Sequence, residues 1–391
     1  MNPIRLALLC DYLEEGWPSM DLVGEMVLTH LEARQGGDGI IPTRVCPPFR
    51  RRLPLGRGRS LAGPVDRLLN RFLDYPRVAR QLANGGRFDL FHLVDHSYAQ
   101  LVHDLPKGRA VVTCHDLDTF RCLLDPGREP RPRWFRAMTR RILDGLGKAA
   151  AVACDSEATR QHILKHALLP PERLHVVYLA VHPECRPEPD PEFDAEAARL
   201  LGPFQPDGPP DLLHVGSNIP RKRVDVLLRV FAGVRRAVPG ARLIKVGGAL
   251  TPEQAALADE LRVTDAVVTL PFFSPRDPRD RATLAAVYRR AALVLQPSDA
   301  EGFGLPLAEA LACGALVLAS GIPVLREVGG EAAVYRPVGD VPAWTEAALD
   351  LLDQRRRNDP ARRAHGLARA DRYRWTTHVD QLAMIYRTVL A

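Results

Sequence analysis

Short apolar runs recur along this chain, each followed by a stretch with helical spacing. In the first half the runs are residues 4–10, 90–94, 110–113, 150–154 and 175–178. Between them, residues 21–34, 64–84, 133–146 and 157–167 carry apolar positions three and four apart, the period of an amphipathic helix. Short apolar runs bounded by turns read as strands covered on both faces, and strands alternating with helices build a parallel sheet. From Pro183 to Pro210 eight prolines break the pattern. Proline at that density continues neither helix nor sheet, so this stretch reads as a linker with one short helix at 193–201. The alternation then restarts, with strands at 212–215, 243–246, 266–270, 293–296 and 316–319. Helices are expected at 224–238, 252–261, 279–290, 306–313 and 343–352, and the spacing of Val379, Leu382, Ile385, Tyr386 and Val389 predicts a last helix over 376–390. The fold class is α/β: two doubly wound, Rossmann-like domains, residues 1–185 and 211–375, joined by a proline-rich linker, 186–210, and facing a central cleft. Ligands of such sheets bind beyond the carboxyl ends of the strands.

Composition narrows this little. The 391 residues are 46% hydrophobic and 26% charged, which excludes a disordered or collagen-like chain. No apolar run reaches the roughly 18 residues that span a bilayer. The first run meets Asp11, Glu14 and Glu15 and so reads as a buried strand, not a signal peptide. Seven scattered cysteines, an odd number without a C-x-x-C pair, argue for a reducing compartment and against a structural zinc site, so a cytoplasmic location is expected. Charge does change the picture. The net charge is +6, and the window from Arg50 to Arg80 holds nine arginines against Asp66 and Asp74. So local a patch implies a local acidic partner, not a nucleic acid. Its interleaved leucines and Phe72 suit either the inner face of an anionic membrane, bound peripherally, or an ordinary arginine-rich surface.

Four constellations stand at predicted strand ends. After the strand at 293–296 comes Glu301-Gly302-Phe303-Gly304-Leu305-Pro306, with Glu309 one turn into the next helix. Gly302 and Gly304 admit a ligand close to the backbone, and the amides of Phe303, Gly304 and Leu305 open a helix N-terminus, which favours a phosphate. Two carboxylates beside it suit hydroxyl-rich groups such as ribose and sugar rings; the alternative is that Glu309 is a solvated helix residue and Glu301 a partner of the helix dipole. After the strand at 212–215 come Gly216, Ser217 and Asn218, then Arg221 and Lys222. A cation pair at a helix start is unusual, because the dipole disfavours it, and it can neutralise a diphosphate. Neither G-x-G-x-x-G nor a Walker loop is present here. His115 ends the strand at 110–113, followed by Asp116 and Asp118, a D-x-D too sparse to argue for a metal. Gly16, after the first strand, stands either at a phosphate or in an ordinary turn.

Glu301 and Glu309, eight apart in E-G-F-G-L-P-L-A-E, resemble the E-x7-E signature of glycosyltransferase family 4, whose architecture is GT-B. Cys114-His-Asp-Leu, Ser156-Glu157, Pro171-Glu-Arg-Leu-His-Val-Val-Tyr, Pro220-Arg-Lys, Val246-Gly-Gly and Pro323-Val-Leu-Arg-Glu-Val-Gly-Gly are similar to family segments in the same order. The resemblance implies a retaining, metal-independent transferase with no cofactor, using a nucleotide-diphosphate sugar as co-substrate. It implies that Glu309 holds the ribose, that Glu301 contacts the donor sugar, and that the amides at 303–305 hold sugar and diphosphate. Arg221 and Lys222 would stabilise the leaving diphosphate, and His115 would contact the sugar near the reacting carbon. Gly16, Gly216, Ser217, Asn218 and Phe272 complete the donor set. The first domain would take the acceptor, and residues 376–391 would cross back onto it. Three departures bear on this: Gly16-Trp-Pro-Ser-Met replaces a glycine pair, Gly216-Ser217 stands where many members carry G-R or G-T before the P-R-K loop, and Pro271-Phe272-Phe replaces the usual segment beside the base. A hexose donor such as GDP-mannose is expected, with a glycan, lipid-linked or small-molecule acceptor. The rival readings are a sugar-nucleotide epimerase or hydrolase on the same fold, and a non-catalytic sugar-nucleotide-binding partner.

Overall fold

The computed structural model describes residues 3–34, 39–52, 62–205, 208–274, 276–356 and 360–391. The chain divides into two units: Met1–Leu179 together with Trp375–Ala391, and Ala180–Arg374.

In the first unit, β1 (Ile4–Leu9), β2 (Ile40–Val45), β3 (Leu90–Leu93), β4 (Ala110–Cys114), β5 (Ala151–Cys154) and β6 (Leu174–Val176) form a parallel sheet in the order β2-β1-β3-β4-β5-β6. Its central strands are buried along their whole length, as the continuous apolar runs require. The helical pattern at 64–84 becomes a helix Ala62–Leu69, a π turn Asn70–Asp74 and a helix Tyr75–Asn84. Pro76 has no amide to give the ladder, and the wider turn just before it absorbs the break. The buried Asn70 side chain pins the segment before it: its amide donates to the carbonyl of Arg50 (2.8 Å), and its oxygen accepts from the amide of Arg50 (2.8 Å).

In the second unit, β7 (Asp211–Val215), β8 (Arg242–Val246), β9 (Val267–Leu270), β10 (Leu293–Gln296), β11 (Val317–Ser320) and β12 (Val334–Arg336) are likewise parallel, in the order β12-β11-β10-β7-β8-β9. The strand order reverses between β7 and β10, so the crevice beyond their carboxyl ends is where this sheet offers a site. One core cluster in this unit joins Leu212, Leu243 and Leu293 to Phe231 and Trp344.

Several boundaries differ from expectation. The proline-rich stretch is no free linker: Asp190 caps a helix Pro191–Leu201, and Asp194 on it pairs with Arg289 (2.6 Å), so residues 186–210 belong to the second unit. The division falls at Leu179 and not at 185. The last helix, Trp375–Leu390, belongs to the first unit. There the Tyr386 hydroxyl donates to His92 Nδ1 (2.7 Å), and His378 Nδ1 donates to the carbonyl of Tyr178 (2.8 Å). Residues 53–61 of the basic window, with Arg57 and Arg59, lie outside the described residues.

Candidate active site

The loop after β7 turns sharply because its neighbours leave room for backbone alone. The amide of Gly216 donates to the carbonyl of Val246, and a Cβ added to Gly247 would stand 2.3 Å from the Gly216 oxygen. Asn218 donates to the carbonyl of Ala249 (2.5 Å), and Ser217 is exposed. A short turn, Pro220–Lys222, then delivers two cations before the helix Val224–Ala237.

After β10 the chain runs through Ser298–Gly304 into the helix Leu305–Ala312, with Pro306 in its first turn and Gly304 at the left-handed φ of 98° as cap. Glycine is required there twice over: a side chain pays the left-handed penalty, and a Cβ would meet Leu325 Cδ2 at 2.6 Å. The two loops meet. The amide of Asp299 donates to the carbonyl of Arg221 (2.9 Å), and Arg221 Nη1 donates to the carbonyl of Ala300 (2.8 Å).

Glu301 is the centre of this contact. Its Oε1 accepts from Lys222 Nζ (2.6 Å) and Gln296 Nε2 (3.1 Å), and its Oε2 accepts from Arg221 Nη1 (3.1 Å). Its side chain is only 6% exposed. Burial opposes its ionisation, yet Lys222 and Arg221 outweigh burial and hold its carboxyl down to about 2. Beside them His214 donates Nδ1–H to the carbonyl of Leu295 (2.9 Å), and burial lowers its pKa to about 4. A neutral imidazole there does not compete with the cations for Glu301.

Glu309 lies farther along the same helix, where its Oε2 accepts from the Tyr288 hydroxyl (2.9 Å), and burial raises its pKa. Gly302 is half-buried at the loop tip. Phe303 is buried with its ring edge-on to Tyr373 (centroids 5.2 Å apart). Phe272 stands 55% exposed in the loop after β9. Arg221, Lys222, Glu301 and the 302–305 backbone are thus brought together. Phe272 makes none of the polar contacts of that group.

The first unit carries its own polar cluster at strand ends. His115, after β4, is buried, and both ring nitrogens are committed: Nδ1 to Asp155 Oδ2 (2.5 Å) and Nε2 to the carbonyl of Val94 (2.8 Å). Both partners are acceptors, so both nitrogens carry hydrogen and the ring is an imidazolium. Burial pulls its pKa down, but Asp155 and Asp95 together raise it to about 9. Asp11, after β1, is pushed well above the carboxylate range by burial and by Asp95. Asp116 caps the amide of Asp118 (2.9 Å), and Asp118 pairs with Arg121 (3.0 Å), which explains the D-x-D as a turn. Among the described residues no group of three or more His, Cys, Asp or Glu side chains is arranged to hold a metal ion. Gly16 closes the turn Leu13–Glu15 at φ 70°, with nothing within 4 Å of where a Cβ would stand.

Sequence reasoning passed over Gln296, Tyr288 and Asp155. Tyr288 and Asp155 lie 21 and 40 residues along the chain from their partners Glu309 and His115, whereas Gln296 is 5 residues from Glu301. The strand-end rule alone points to Gln296 and Asp155, the last residue of β10 and the first after β5.

Comparison with known proteins gives the following. Residues 209–354 match the family model described as Glycosyl transferases group 1, and residues 24–185 match Glycosyltransferase Family 4. A D-inositol 3-phosphate glycosyltransferase of Mycobacterium avium is 31% identical over 389 residues, covering 92% of this chain and 86% of that protein. The O-antigen chain mannosyltransferase B of Escherichia coli is 27% identical over 281 residues, covering 71% of this chain and 70% of that one. The structure of a sucrose-phosphate synthase from Thermosynechococcus elongatus superposes with a TM-score of 0.74 at 19% identity, covering 98% of both chains.

Proposed function

We propose, on the premise that this chain belongs to the family 4, group 1 glycosyltransferases, that it moves a hexose from a nucleotide-diphosphate sugar to a hydroxyl acceptor with retention and without a metal. The observation that carries this reading is Glu301 clasped by Arg221 and Lys222 at the mouth of the Leu305–Ala312 helix, with Glu309 along the same helix. The loop that carries the two cations is bonded to the loop that opens that helix, and cations beside a helix N-terminus suit a diphosphate. Glu301 accepts from the sugar hydroxyls, and Glu309 from the ribose.

Catalysis is then mainly electrostatic. The bond from the anomeric carbon to the diphosphate oxygen breaks, and the bond to the acceptor oxygen forms on the same face of the ring. The acceptor proton passes to a departing phosphate oxygen. Arg221 and Lys222 stabilise the charge that grows on that diphosphate. His115 serves as a fixed cation of the first unit. Both of its ring nitrogens are already bound, so its charge is what it offers.

The name of the Escherichia coli relative favours mannose as the sugar. The names of the two relatives support different acceptors, a growing glycan and a small phosphorylated polyol. A peripheral, cytoplasmic-face membrane contact belongs to the same reading. Trp17, Leu13, Val65 and Leu73 are exposed large hydrophobics, and Arg67 Nη2 donates to the carbonyl of Glu14 (3.2 Å), which sets the Ala62–Leu69 helix beside the Leu13–Glu15 turn. No described helix is long and apolar enough to cross a membrane.

The test is a panel of sugar nucleotides, first by thermal shift and then by sugar transfer to candidate acceptors. A bound donor at about 100 times its dissociation constant stabilises by roughly 2.7 kcal/mol. Lys222→Ala and Glu301→Gln are expected to lower turnover about 100-fold or more with unchanged circular dichroism. Near-normal rates in both variants would remove this site from the reaction. Donor breakdown at the full rate with no acceptor present would favour a hydrolase.

A further inference from the structure

The second unit has a hollow at the other end of its sheet. It encloses about 430 Å³ and borders the segments that lead into β10 and β11: Ala291 and Ala292 before the one, Gly314 to Leu316 before the other. The cation pair and Glu301 stand beyond the opposite strand ends, roughly 15 Å away by strand rise. The hollow is therefore separate from the donor loops, and its size lies within the ordinary range for small-molecule sites.

Its lining is strongly cationic. Arg289, Arg290, Arg362 and Arg363 border it, and Asp194 is the acidic side chain among them. Asp194 is taken by Arg289 (2.6 Å). Arg290 is held by Asp211 (3.0 Å) and the carbonyls of Ala197 and Gly202, while Asp211 also binds Arg242 (2.8 Å). One carboxylate is thus divided between two guanidiniums, and the wall keeps an excess of positive charge. Arg363 lies across Gly314, where a Cβ would meet its Nε at 2.7 Å, and its Nη2 reaches the carbonyl of Pro187 at 3.5 Å. Among the described residues Arg363 has no carboxylate partner. It and Arg362 stand in the first turn of the helix Pro360–Ala370, where the helix dipole repels cations. Their placement is unfavourable for the helix alone and favourable for an anion.

Part of the lining is apolar. Phe204 is 47% exposed, with the Arg290 guanidinium 5.8 Å from its ring centre, and Pro187 and Pro189 border the same space. An aromatic ring with a neighbouring guanidinium is the surface on which a nucleobase stacks.

We propose that this hollow is a binding site for a nucleoside monophosphate, its phosphate held by Arg362 and Arg363 and its base laid on Phe204. Nothing in this site depends on the sugar-transfer reading, and it stands or falls apart from it.

The test is calorimetric titration of the full chain with AMP. The wild type binds. Arg362→Ala with Arg363→Ala weakens AMP at least tenfold, and Lys222→Ala, at the donor loops, leaves AMP binding unchanged. Phe204→Ala weakens AMP but spares inorganic phosphate. The proposal is overturned if AMP does not bind, if Lys222→Ala abolishes binding while the double variant keeps it, or if Phe204→Ala affects AMP and phosphate alike. Arg363 and Phe204 are exposed, Arg362 is half-buried and Lys222 is buried, and an unchanged melting temperature in each variant shows that the fold is intact.

Discussion

Asp155 and Val94 together decide the protonation of His115. Both face it with acceptors, and the other groups around it are Asp95 and His96 from the end of β3 and His378 from the last helix. A pKa raised to about 9 stabilises the folded chain fully below the unfolded value near 6.5, and that contribution is lost as pH rises through 9. Asp155→Asn removes the anionic partner. We expect the His115 titration, followed by NMR, to fall toward 6.5, and the alkaline limb of kcat/KM to move down with it. An unchanged titration in the variant would show that Asp155 does not set the charge. Glu301 has the opposite sign. Its depressed carboxyl contributes above about 4.5, and that contribution disappears as pH drops toward 2. The cation pair and its glutamate were legible in the sequence because each sits in a recognisable strand-end loop. Asp155 also stands at a strand end, but its pairing with His115 was not legible, because the two lie 40 residues apart and only the pairing of β4 with β5 brings them level.

At the level of elements, the sequence pattern finds the strands in the middle of each sheet and misses β2 and β12, which are edges. A central strand is buried on both faces and reads as an unbroken apolar run. β2 carries Pro42 and Arg44, tolerable where one side of the ladder is unpaired, and β12 has three residues, all half-buried. The helix after β10 is the element on which the site depends most. Its cap at Gly304 accepts a side chain only by distorting the 302–305 loop. Gly304→Ala is expected to cost roughly 1–3 kcal/mol, from the left-handed penalty and the contact with Leu325. It should raise KM for the donor and lower the melting temperature of the second unit, to which Gly304 belongs. Wild-type donor affinity in this variant would show that the loop backbone plays no part in binding.

Over the whole molecule, charge is distributed unevenly. The Arg50 to Arg80 window carries nine arginines against two aspartates, more than the whole net charge of +6, and its described exposed cations include Arg50, Arg51, Arg67, Arg77 and Arg80. With Trp17, Leu13 and Val65 beside them, this surface should bring the chain down with vesicles containing phosphatidylglycerol at low salt. It should release them in 1 M salt, where the screening length is about 3 Å. Absence of binding to such vesicles at low salt would exclude the contact. The two-unit division was legible from the restart of the strand–helix alternation. The true boundary was not, because prolines that cannot extend a strand can still start a helix, as Pro191 does behind Asp190.

The return of Trp375–Ala391 to the first unit has a consequence for how the chain is made. The half that leaves the ribosome first cannot be completed until Trp375–Ala391 has been translated. At roughly 5–20 residues per second, the 195 residues from Ala180 to Arg374 keep it waiting about 10–40 s. During that interval the imidazole of His92 lacks its tyrosine, and the surface meant for Val379, Leu382 and Ile385 stands open to chaperones or to aggregation. A premature stop just after Arg374 would therefore damage the part of the chain made first and spare the part made after it.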